Sequence, residues 1–167
     1  MNQAKNLMKK GSTIFLKVAL VVIGLIVLAL CIFGLPAIWK GASAEFPMAG
    51  NAIFLIMIGL YATTAPFFIA LWQMFTLLNY IDQNKAFSDL SVKALRSIKR
   101  CATIIAILYI AGVPLLFPIA EADDAPGLLL IGMVIAAAPA VVAVFAAVLE
   151  RLLQNAIEMK KEFELTV

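Results

Sequence analysis

The sequence predicts an all-α fold, a four-helix transmembrane bundle with both termini cytoplasmic. Three observations predict it: four uncharged apolar runs of spanning length, basic residues gathered on alternate connections, and no strand-like alternation. The chain of 167 residues is 64% hydrophobic and 14% charged, with mean hydropathy +1.04. That is more apolar surface than one soluble core of this size can enclose. A single integral membrane domain over 1–167 follows.

A spanning helix needs about 20 apolar residues, and 18–39, 51–72, 101–120 and 127–149 meet that length with no Asp, Glu, Lys or Arg in any of them. Ten-residue segments of alternating polarity, the barrel signature, are absent, so the spans should be helices that satisfy their own backbone hydrogen bonds. Lys5, Lys9, Lys10 and Lys17 precede the first span, and Lys85, Lys93, Arg96, Lys99 and Arg100 lie between the second and third. Arg151, Lys160 and Lys161 follow the fourth. The other two connections hold Lys40 with Glu45, Glu121, Asp123 and Asp124, so the positive-inside rule places both termini and the middle loop in the cytoplasm. The expected location is a bacterial cytoplasmic (inner) membrane. The net charge of +3 reflects this topology, and direct nucleic-acid binding is not expected.

A lysine-rich leader, an apolar run and Ala42-Ser43-Ala44 imitate a cleaved secretory signal. The run at 18–36 exceeds the usual signal core of about 7 to 15 residues, and Lys40 interrupts the approach to the cleavage site, so an uncleaved first helix is expected. Leu30 likewise spoils the lipoprotein-like Val27-Leu28-Ala29-Leu30-Cys31, where a small residue is needed before the cysteine.

Catalytic chemistry finds little footing. The chain has no His, and its only cysteines, Cys31 and Cys101, lie at heights that differ by on the order of 20 Å on this topology, beyond disulfide reach. Neither a zinc site nor a histidine-based catalytic site can be assembled, so no enzyme activity, metal or cofactor is expected. Thr63, Thr64 and Gln73 are the main polar side chains of the second span, serving as interhelical partners or lining a path. Pro66, Pro114 and Pro139 fall within spans and can kink them. Gly132, Ala136, Ala140, Ala143 and Ala147 make a small-residue stripe on the fourth span. Packing within the chain is its first use; a homo-oligomer is the other.

The inward side carries more material than the outward side. The uncharged stretch 46–81 would be about 54 Å long as a helix, against a hydrocarbon core near 30 Å. The second helix should therefore protrude, with Phe75, Leu78 and Ile81 packing on Val92, Leu95 and Ile98 and on Leu149, Leu153, Ala156 and Ile157. Three helical extensions should form a cytoplasmic collar. In the loop 84–91, Ser88 or Ser91 can cap a helix start, Asp89 suits its positive end, and Phe87 can tuck beneath the bundle. Lys93, Arg96, Lys99 and Arg100 form a basic stripe open to anionic lipid headgroups or an acidic protein, or simply snorkelling under the positive-inside rule.

The turn Ala86-Phe87-Ser88 before a basic helix with Leu95 and Ile98, together with the terminal Glu164-Leu165-Thr166-Val167, resembles the bacterial multi-pass membrane proteins catalogued as domain of unknown function 2975. The likeness extends over nearly the whole chain. Lys85 and Ala86 stand where many relatives have a nearby glycine, and Glu164 where Asp is commoner. The resemblance implies a four-helix membrane protein of uncharacterised activity, often encoded beside small helix-turn-helix transcriptional regulators. Such a regulator is the implied partner, besides the lipid bilayer. On that reading Phe163, Leu165 and Val167 are apolar anchors and the neighbouring charges set orientation. The rival readings are a small transporter using Thr63, Thr64, Gln73 and the prolines, and a structural or immunity subunit of a membrane complex packing through the small-residue stripe.

Overall fold

The computed structural model describes residues 1–166, and the expected anchor Val167 lies outside them. All regular structure among the described residues is helical. Four helical units, Asn2–Glu45, Pro47–Asp82, Asp89–Ala122 and Gly127–Thr166, are each long and apolar enough to cross a membrane.

The first unit is α1 (Asn2–Ala29), a π-helical turn at Leu30–Gly34, and α2 (Leu35–Glu45). Helix therefore begins in the lysine-rich leader, which the sequence marked as charge but not as structure. Its Ala, Leu, Met and Lys residues are good helix formers and no proline interrupts them. The π turn has a definable cause. The Leu35 amide reaches five residues back to the Leu30 carbonyl, and Pro36 has no N–H to offer Cys31. The orphaned Cys31 carbonyl accepts instead from the Tyr61 hydroxyl at 3.3 Å, as backbone at membrane depth requires.

A 3-10 turn at Pro47–Ala49 leads into α3 (Gly50–Asp82). α4 (Asp89–Gly112) gives way to a 3-10 turn at Val113–Leu116 and to α5 (Phe117–Ala122). α6 (Gly127–Thr166) is unbroken. Among the three expected kink sites, Pro114 marks departure from α geometry, whereas Pro66 and Pro139 sit within continuous helices.

The second and third reversals close α-helical ends in the same way. Asn84 at φ 58° and Asp124 at φ 50° are the left-handed residues. Around them Lys85 N–H donates to Tyr80 O and Asn84 N–H to Ile81 O, then Ala125 N–H to Ala120 O and Asp124 N–H to Glu121 O. These are Schellman closures with Asn and Asp in the place usually held by glycine.

The helices pack in the order α1, α3, α4, α6, and α1 and α6 share at most isolated contacts. The four spans therefore form an open array, with α1 and α6 at its two ends. α4 is its centre: Ser91, Val92, Ala94, Leu95, Ile98, Cys101, Ala102, Ile105 and Ala106 are all buried. α1 buries only Thr13 and Gly24. An open array is stable only because lipid covers the apolar faces that water could not.

The small-residue stripe on α6 is covered in part within the chain. Ala136 is buried, and Gly132, Ala140, Ala143 and Ala147 are half-buried. A Cβ at Gly132 would stand 2.4 Å from Leu116 Cδ1, and one at Gly24 would stand 2.9 Å from Leu71 Cδ2, so both glycines permit close approach.

The extensions beyond the spans form, but three of the expected packing residues, Ile81, Leu149 and Phe87, stay outside them. Val92, Leu95, Ile98 and Ile157 are buried, and Leu153 and Ala156 half-buried. Phe75 and Leu78 are half-buried, but Ile81 is exposed and Leu149 points outward. Phe87 is 60% exposed and does not tuck beneath the helices. Ser88 is the N-cap residue of α4 but makes no side-chain cap bond. Its hydroxyl and that of Ser91 donate to Lys85 O at 2.7 and 3.2 Å, because the reversal leaves that carbonyl outside either helical ladder.

Candidate docking site on the α4 and α6 face

The basic stripe of α4 does not act as one unit. Arg96 Nε donates to Glu150 Oε1 at 2.9 Å, and Lys99 Nζ to Glu150 Oε2 at 2.5 Å. Glu150 is 6% exposed, whereas Arg96 and Lys99 retain partly exposed side chains. One buried carboxylate therefore holds two half-exposed cations and ties α4 to α6 just beyond the fourth span. Both carboxylate oxygens are satisfied, which is the condition for burying such a charge.

Glu150 is hard to read from the sequence because it stands one residue past a charge-free span and next to Arg151. A signal existed. Ala136, Ala143, Ala146 and Glu150 follow one helical face, while Arg96 and Lys99 are three apart on another. A carboxylate on an inward stripe next to a basic helix calls for such a pairing.

Lys93 and Arg100 are exposed and make no ion pair among the described residues. Lys93 and Arg96 line a groove of about 460 Å³ with Asp89, Gln154, Glu158 and Lys161, floored by Val92 and Ile157. The structure so brings part of the basic stripe and the root of the C-terminal tail to one place. Past Ile157, every described residue of α6 is exposed, with Met159 at 65%, Phe163 at 76% and Leu165 at 87%. Met159 and Phe163 are one helical turn apart on the same face. Phe87 stands elsewhere, beside the first turns of α1, and neither it nor Ser88 lines this groove.

Two further polar sites join α1 to α3. Lys17 Nζ donates to Asp82 Oδ2 at 2.5 Å, and this hydrogen bond holds the Asp82 carboxyl below the usual carboxylate range, against an opposing effect of desolvation. At the π turn, Cys31 Sγ and Thr64 Oγ1 are 3.5 Å apart, and Thr63 and Thr64 hydroxyls donate to Leu60 O. The threonines thus spend their donors within their own helix beside a crevice of about 260 Å³. Gln73, the third polar residue of the span, does not line that crevice. Among the described residues, no group of three His, Cys, Asp or Glu is placed to hold a metal ion.

The family described as Protein of unknown function (DUF2975) matches residues 37–167. The chain is 54% identical over 160 residues, 96% of its length and 100% of the relative's, to the protein described as "Uncharacterized membrane protein YoaS" of Bacillus subtilis (strain 168). No solved structure matches. With a match over most of its residues and such a relative along its full length, this multi-pass helical membrane protein belongs to the DUF2975 family.

Proposed function

We propose that this protein is a non-enzymatic regulator of the bacterial cytoplasmic membrane that holds or releases a soluble cytoplasmic partner, with a small helix-turn-helix transcriptional regulator as the partner class. The carrying observation is the continuity of a mixed-charge groove between α4 and α6 with an exposed helical tail bearing Met159 and Phe163. A solvated helix presenting an apolar face suits insertion into a partner's groove, and the flanking charges would fix its direction. Cytoplasmic orientation rests on the placement of Lys and Arg.

Affinity purification from mildly solubilised membranes, followed by mass spectrometry, tests this reading. The comparison is between the full chain, a chain ending at Ile157, and a full-length Met159→Ala, Phe163→Ala variant. A soluble DNA-binding protein recovered with the first and lost from the other two is the expected outcome. Equal recovery of membrane proteins alone from all three would overturn it and favour a structural subunit.

A further inference from the structure

A second cleft lies away from the α4 and α6 face, between the first turns of α1 and the end of α3. It measures about 690 Å³, within the range of small-ligand sites. Lys9 and Lys10 line it together with Leu16, Leu78, Ile81, Phe87 and the carboxylate of Asp82. Its charge balance is one-sided. α1 carries no acidic residue, and α3 carries only Asp82, whose carboxylate is already held by Lys17. Lys9 and Lys10 form no ion pair among the described residues.

The apolar wall is also uncovered. Leu16, Ile81 and Phe87 are 46%, 44% and 60% exposed, although each lies next to lysines that mark an interface between bilayer and water. Two unpaired ammonium groups beside an unfilled apolar wall call for a ligand with an anionic head and a hydrocarbon chain. We propose that this cleft is a binding site for one anionic phospholipid, its phosphate between Lys9 and Lys10 and the start of its acyl chain along Leu16, Ile81 and Phe87. The lysine stems add apolar contact to the same chain while their ammonium groups stay at headgroup level. Inorganic phosphate or a free phosphate ester would leave the wall bare.

Native mass spectrometry of the delipidated full-length protein in nonionic detergent tests the site. The probes are dioleoyl phosphatidylglycerol, dioleoyl phosphatidylcholine and glycerol 3-phosphate. Phosphatidylglycerol should be retained as a single bound molecule at concentrations where phosphatidylcholine is not. The Lys9→Gln, Lys10→Gln variant should lose on the order of tenfold in that affinity, as expected for two lysines at a headgroup. Arg100→Gln, Arg151→Gln removes the same charge elsewhere on the chain and should stay within about twofold of wild type. Phe87→Ala, which changes no charge, should also weaken retention. Lys9 and Lys10 are solvent-facing, and a thermal unfolding curve that matches wild type will show that their variant folds.

Equal retention of the two lipids would overturn the site. So would equal losses in the two charge variants, which would mean diffuse attraction to basic surface. Displacement of the lipid by millimolar glycerol 3-phosphate would assign the cleft to a soluble phosphate ester instead.

Discussion

Glu150 shows how one residue can determine the cost of changing its partners. It is the buried member of its cluster, and Arg96 and Lys99 are the partly exposed ones. Removing both cations strands a carboxylate out of water, so Arg96→Gln, Lys99→Gln should cost about 3 kcal/mol, the lower end for breaking a buried pair. Glu150→Gln leaves two cations that can turn to solvent and should cost about 1 kcal/mol. Unfolding in mixed micelles checks the order, and a costlier Glu150→Gln would refute it. Asp82 gives a pH dependence. Its carboxyl is held low chiefly by the hydrogen bond from Lys17, so the stabilisation is complete above the ordinary carboxylate range and disappears as pH falls through the lowered value. The thermal stability gap between wild type and Asp82→Asn should therefore be present at neutral pH and close in acid. A gap that stays constant into acid would remove the ion pair as its cause.

Between elements, α6 approaches the 3-10 turn after α4 closely at Gly132. Gly132→Ala drives a methyl into Leu116 Cδ1. That atom ends a flexible side chain, so a rotamer shift absorbs much of the clash, and the loss should be about 1 kcal/mol. Adding Leu116→Ala frees the space. The double mutant should then be more stable than the sum of the single losses, by about 0.5 kcal/mol or more in a double-mutant cycle. Strict additivity would mean that the two residues do not meet. The small-residue pattern on α6 was legible because Gly and Ala recur at helical spacing, but its partner was not, since Leu116 lies in a turn that departs from α geometry near Pro114. The π turn was equally hidden. Pro36 signals a lost donor, but only Tyr61, 30 residues away from Cys31, accounts for the freed carbonyl.

Across the molecule, packing is concentrated on α4 and thins toward both ends of the array. Hydrogen exchange in detergent should follow that gradient: backbone amides of 91–98 should exchange orders of magnitude more slowly than those of 2–12 or 158–166, where every described side chain is exposed. Uniform protection along α1 would mean that its first turns are covered by something other than this chain. The four spans and the buried Val92, Leu95, Ile98 and Ile157 could be read from the sequence, because length and apolar periodicity decide them locally. The collar was only partly legible. Ile81 and Phe87 carry the same apolar character as Val92, and nothing in the pattern says that the array stays open beside them.

The sequence alone determined that the chain crosses a membrane four times as helices, because a run of apolar residues must satisfy its backbone hydrogen bonds internally wherever its neighbours happen to be. Tertiary structure decided which helix lies at the centre, that Arg96 and Lys99 converge on Glu150 while Lys9 and Lys10 form no ion pair among the described residues, and where the clefts fall. Those features depend on side chains many residues apart meeting across an interface, and charge pairing reads separation in space, which spacing along the chain does not encode.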